Sequence, residues 1–102
     1  MTGRQSQMAK LLRNLCPQMP LADFTPVVEM AAARHLKSLP PSIALWQALA
    51  AHVRHNHTEY DALLAEGYDR EAARYFVLDA TDNLLALWGC ARRIEAAPGP
   101  ME

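Results

Sequence analysis

The sequence predicts an all-α fold, a compact bundle of four to five helices with a long C-terminal helix. Ala and Leu dominate while β-branched residues are few, which favours helix over strand. Apolar residues recur at intervals of three and four through most of the chain. Prolines cluster between the periodic stretches, where they punctuate helices. The 102 residues, 51% of them apolar, suit one domain with a thin core. The expected organisation is a single helical domain over 1–95, with a motif-bearing core at 42–95 and a disordered tail at 96–102.

Residues 4–15 read as a helix with Met8, Leu11, Leu12 and Leu15 on one side, broken by Pro17 and Pro20. Thr25 reads as the N-cap of a second helix, Pro26 as its first residue, and Glu29 as closing its first turn. Its stripe of Val28, Ala31 or Ala32, His35, Leu36 and Leu39 continues to Pro40 and Pro41. A third helix starts at Ser42 with Ile43, Trp46, Ala50 and Val53 on one face. Leu45 and Leu49 widen that face, which makes this helix central.

Thr58 and Asp61 have the spacing of a capping box for a short helix carrying Tyr60, Leu63 and Leu64. Gly67 is placed to end that helix in a left-handed turn. Asp69 is the expected N-cap of the last helix. There Ala73, Val77, Ala80, Leu84, Leu87, Ala91 and Ile94 follow a seven-residue rhythm, a seam held against a neighbour.

The formal net charge is −1. Its distribution is uneven: residues 1–58 hold six Lys/Arg against two acids, a balance of +4, and residues 59–102 hold four against nine, a balance of −5. Attraction between the halves, within the chain or head-to-tail in a dimer, is the simplest use of this asymmetry. A basic face for nucleic acid is the second, although the Lys/Arg footprint is sparse for one. Cys16 and Cys90 form no CxxC and belong to no cysteine framework, so they read as free thiols in a reducing cytosol. No apolar run reaches the ~20 residues needed to span a bilayer, and no membrane partner is expected.

The stretch 54–74 is the richest in chemistry. His52, His55, His57 and Asp61 have metal-ligand residue types without a recognised spacing, so no metal or other cofactor is assigned. No nucleophile elbow and no phosphate-cradling glycine loop occurs, so no catalytic residue is assigned and enzyme activity is not favoured. Arg70 and Arg74 lie one turn apart, near enough for Arg54 and His57 to converge with them on a phosphate. The favoured alternative is internal pairing, with Arg70 bound to Asp61 or Glu66 and Arg74 in a forked pair with Asp61.

The string R54-H55-x-H57-T58-x-Y60-D61-x-L63-L64-x-x-G67-x-x-R70-x-x-A73-R74 resembles the core motif of an uncharacterised, mainly bacterial domain family of unknown function, over residues 42–90. The resemblance implies that Arg54, His57, Thr58, Tyr60, Asp61, Arg70 and Arg74 are candidate binding positions. Gly67 and Asp69 have structural roles in this reading. The functional expectation is a small cytoplasmic structural or protein-interaction domain that self-associates through its helices. Trp46, Trp88, Tyr68, Tyr75 and Phe76 serve as core or interface. The alternative is a nucleic-acid- or phosphate-binding module using the basic N-terminal half with Arg54, Arg70 and Arg74.

Overall fold

The computed structural model describes residues 3–94, and the tail expected at 96–102 lies outside them. The described residues form six α-helices and one 3-10 turn, with no strand, so the fold is all-α. The helices are α1 (Gly3–Leu15), α2 (Leu21–Ala31), α3 (Pro41–His57), α4 (Tyr60–Ala65), α5 (Arg70–Phe76) and α6 (Leu78–Leu87), with the 3-10 turn Arg34–Leu36 between α2 and α3. None of them is long and apolar enough to cross a membrane.

α3 is the longest helix and the central one. Pro40 caps it and Pro41 takes its first position, where a missing N–H costs nothing. α1 and α2 cover one side of α3, and α6 covers another. The main core joins Met8 and Leu12 of α1, Val27 and Ala31 of α2, Leu45, Leu49 and Val53 of α3, and Leu85 of α6, all buried. Each such side chain contributes about 1.5–3 kcal/mol by leaving water. The buried face of α3 is centred on Leu45 and Leu49. Ile43, expected inside, is exposed, and Trp46 is half-buried beneath the guanidinium of Arg92, 4.0 Å from the ring centre.

α2 departs most from the sequence expectation. It starts at Leu21, not at the Thr25–Pro26 pair, because the Pro20 carbonyl accepts from the N–H groups of Asp23 and Phe24. Pro26 therefore sits inside the helix, and Asp23 falls in its first turn. α2 also ends early, at Ala31. The chain then unwinds through Ala33, whose ψ is 152°, and no residue in MAAARHL announces the break. Arg4 of α1 compensates by donating to the carbonyls of Leu36 (3.3 Å) and Leu39 (2.9 Å).

The expected long C-terminal helix is bent into α5 and α6 at Val77, whose ψ is 9°. The buried Thr81 hydroxyl donates to the Val77 carbonyl at 2.8 Å, a back-bond of the kind that bends helices. The bend shifts the seam. Ala73, Val77, Thr81, Leu85 and Trp88 face inward, while Leu87 is 71% exposed and Ala80 and Ala91 also face water.

Two glycines end helices in matching motifs. After α4, Gly67 (φ 105°) donates to Leu64 O and Tyr68 donates to Leu63 O, closing the helix in a left-handed turn. After α6, Gly89 (φ 83°) donates to Ala86 O and Cys90 to Leu85 O, so Gly89 lies beyond the helix rather than within it. The α6 end is docked on the α1–α2 connection, where Gln18 N–H donates to Trp88 O at 3.0 Å. Cys16 and Cys90 meet there as free, buried thiols. Burial first, and then Cys90, pushes the Cys16 thiol up to about 12, so it stays protonated at neutral pH.

The two glycines differ in surroundings, and that difference is measurable. A Cβ at Gly67 meets nothing within 4 Å, whereas one at Gly89 sits 3.2 Å from Pro17 Cγ and 3.3 Å from Pro17 Cδ. Gly67→Ala is expected to cost about 1 kcal/mol in urea unfolding, from the left-handed backbone alone. Gly89→Ala is expected to cost more, about 2–3 kcal/mol, because the Pro17 ring must also shift. Equal losses at the two sites would contradict this docking.

Candidate functional site: a histidine–carboxylate cluster and an arginine groove

The last two turns of α3 carry His52, Arg54, His55, Asn56 and His57. Their side chains divide between two sites. Facing α2, His52 Nε2 lies 2.8 Å from Asp23 Oδ1, and His57 Nε2 lies 2.6 Å from the same oxygen. The side chains of His52 and Asp23 are 7% and 14% exposed, and that of His57 is 34% exposed. Asn56 Nδ2 donates to His52 Nδ1 (3.3 Å) and to His52 O (3.0 Å). With Nδ1 accepting, the ring proton of His52 sits on Nε2 and is donated to Asp23. The His57 ring meets Trp88 edge-on, with centroids 5.6 Å apart, and so cannot rotate freely. Burial by itself raises the Asp23 carboxyl, but hydrogen bonds from His52 and His57 outweigh it and hold the group below its ordinary value.

The second site lies on another flank of α3. Arg54 is half-buried, its Nε atom is buried without a hydrogen-bond partner, and its guanidinium stands 5.6 Å from the Tyr60 ring centre. Burial, and then the charge of Arg74, lowers Arg54 from its ordinary value, though a guanidinium remains charged at any physiological pH. Arg54 and Arg74 line a groove of about 510 Å³ together with His35, Trp46 and the small side chains Ala48 and Ala51. No acidic residue lines it among the described residues.

The motif residues do not form one site. Tyr60 is buried with Ala73 and Val77 in a small second core. The Thr58 hydroxyl donates to Arg54 O (2.5 Å) and accepts from Tyr60 N (3.2 Å), closing α3 and opening α4. Asp61 does not complete a capping box. It instead meets exposed His55 Nδ1 at 2.6 Å. Asp69 Oδ1 accepts from Ala72 N at 2.8 Å and caps α5. The anticipated pairing of Arg70 with Asp61 or Glu66, and of Arg74 with Asp61, is absent. Among the described residues no carboxylate lies within 4.0 Å of Arg54, Arg70 or Arg74. The basic N-terminal half is partly consumed by the backbone: Arg4 serves the carbonyls before α3, and Arg13 donates to Met19 O (3.1 Å) while stacking on Phe24.

Asp23 is the site residue that sequence reasoning missed. Placing the helix start at Thr25 left it in a linker, and only the Pro20-initiated turn brings it to His52 and His57.

Together the architecture and the two sites define a small all-helical domain built around one polar-ended central helix. The chain belongs to the family described as an uncharacterized conserved protein (DUF2293), whose model matches residues 11–89. That match takes in Asp23 and the last five residues of α1, well beyond the motif region. Neither a curated protein nor a solved structure matches the chain.

The lowered Asp23 carboxyl has a consequence for acid stability. The folded state favours the charged form, so its contribution is full above the unfolded value of about 3.9 and is lost as pH falls through the lower folded value. Asp23→Ala is expected to cost roughly 1–3 kcal/mol at pH 7, because it strands the buried His52 N–H. The gap between wild type and variant should close below about pH 4. A gap that persisted unchanged at pH 2 would contradict the charge-assisted tie.

Proposed function

We propose that this is a non-catalytic binding domain of the cytosol whose α3 groove receives an anionic, phosphate-bearing group of its partner. Arg54 carries the reading: a guanidinium set into the protein with an unpartnered buried Nε, beside a second arginine, in a groove without acids among the described residues. A half-buried cation whose Nε is shut off from water and which has no counter-charge within reach loses part of its solvation, and an anionic ligand would restore it. Arg74 supplies a second donor fork at the rim. Trp46 offers an apolar wall and the alanines let a ligand approach α3 closely. Arg70, exposed on the same short helix, adds long-range attraction. The motif of residues 54–74 then has a division of labour. Tyr60, Thr58, Gly67 and Asp69 set the corner, and Arg54 and Arg74 use it.

The test compares stability with binding. Pyrophosphate and a single-stranded oligonucleotide are titrated against wild type, Arg54→Met and Arg74→Gln, read by Trp fluorescence and thermal midpoint. Each substitution is expected to weaken binding at least ~10-fold, the scale of one charge-assisted hydrogen bond. Arg54→Met is also expected to raise the midpoint of the unliganded protein. Equal binding by all three proteins would overturn the reading.

A second reading, self-association, rests on a separate observation. Tyr68, Tyr75 and Phe76 are 42%, 69% and 58% exposed and stand edge-to-face at 5.4 and 6.1 Å. Aromatics clustered at the surface favour protein interfaces. Sedimentation should show a salt-insensitive dimer that Tyr75→Ser with Phe76→Ser dissociates. A wild type that stays monomeric at ~100 μM would remove this reading, since weak interfaces of biological size associate in that range.

A further inference from the structure

We infer that Asp23, His52 and His57 form a binding site for a divalent transition-metal ion of the zinc class, holding it between α2 and α3. One ligand atom from each residue lies within 4.8 Å of the other two. Two imidazoles and a carboxylate are the donor set that zinc and its neighbours accept, with remaining positions left to water. A tetrahedral zinc ion needs its nitrogen and oxygen donors about 3.3 Å apart. The imidazole nitrogens are 2.8 and 2.6 Å from Asp23 Oδ1, so these two edges need to widen by well under ~1 Å to admit the ion.

Other features of the cluster point the same way. Both imidazoles converge on Oδ1, which leaves the lone pairs of Oδ2 to a cation. A tie between two helices needs only one histidine, and the second is in excess of that role. The rings are held in place, His52 by Asn56 and His57 by Trp88, as metal-binding imidazoles are held by an outer layer of contacts. Metal at His52 Nε2 requires the ring proton on Nδ1, so Asn56 must present its carbonyl oxygen there in place of its amide nitrogen. Asn56 is exposed and can make that turn. Access also exists. His57 belongs both to the cluster and to the wall of an open groove of about 680 Å³ bounded by Glu59 and Phe76, so the cluster can be approached from its His57 side.

The site is separate from the arginine groove, and its failure would leave the anion-binding reading intact. The experiment uses the full chain stripped with chelator and titrated with zinc chloride by calorimetry. Cobalt(II) serves as a visible-absorbance probe of geometry. One ion per chain is expected, with a thermal midpoint raised by about 5 °C or more at ~100-fold excess over Kd. Cobalt(II) should give the intense absorbance of a low-coordinate ion.

His57→Ala, which alters the most exposed ligand, is expected to weaken binding at least ~10-fold and to abolish the cobalt spectrum. His55→Ala, on the same helix but outside the cluster, should leave both unchanged. If Asp23→Asn or His52→Ala fails to fold, His57→Ala alone decides. The proposal is overturned by the absence of saturable one-to-one binding, by unchanged binding in His57→Ala, or by an equal loss in His55→Ala, which would mark adventitious histidine contact.

Discussion

A single carboxylate oxygen organises one end of this molecule. Asp23 Oδ1 receives Nε2 from both His52 and His57, and so pins the first turn of α2 to the last two turns of α3. The consequences spread outward. α2 must begin at Leu21 for Asp23 to face α3, which forces Pro26 into the helix interior. His57 must stay in register at the very end of α3, and the Thr58 hydroxyl, bound to Arg54 O, closes the helix there. Trp88 lies against His57, and its carbonyl holds Gln18, so the connection into α2 and the exit from α6 meet at the same place. Apolar burial supplies the bulk of the stability, as in any domain of this size, but it does not choose which turn of α2 faces which turn of α3. The shared carboxylate does.

The polar residues fall into those that serve the backbone and those that do not. Arg4 and Arg13 donate to carbonyls freed where helices end, and Asp69 and Thr58 accept N–H groups where helices start. These contacts answer the requirement that helix ends find partners. Arg54 has no such duty for its Nε, and His57 duplicates a tie that His52 already makes. Groups that break a local rule without an internal compensation concentrate at functional positions. These two lie on the last two turns of α3, facing different neighbours; the Nε of Arg4 on α1 is also buried without a partner, but that side chain serves the Leu36 and Leu39 carbonyls through Nη2.

Much of the helical layout was legible in the sequence, for identifiable reasons. Gly67 and Asp69 were readable because their roles depend on local backbone geometry alone. α1 was readable from the spacing of Met8 and Leu12. The true span of α2 was not. Thr25–Pro26 has the chemistry of a helix start, yet Pro20 nucleates a turn earlier, and carbonyls after the halt at Ala31 are served by Arg4, which is remote in sequence. Beyond Val77 the expected seam holds at Leu84 and Ile94, which pack against the core, and fails at Ala80, Leu87 and Ala91, because the Thr81 back-bond bends the axis and a fixed period cannot follow a bend. For the site, His57, Arg54 and Arg74 were visible as residue types. Asp23 was not, because its partners lie 29 and 34 residues away and no local pattern marks it.

A double-mutant cycle isolates the Asp23 tie from everything else that Asp23 and His57 do. Asp23→Ala and His57→Ala, singly and together, would be measured by urea unfolding at pH 7 with chelator present. A coupling energy above about 0.5 kcal/mol is the expected result, with the double variant less destabilised than the two single losses combined. Additivity within about 0.3 kcal/mol would mean that the two side chains are neighbours without being partners, and that α2 is held against α3 by some other contact.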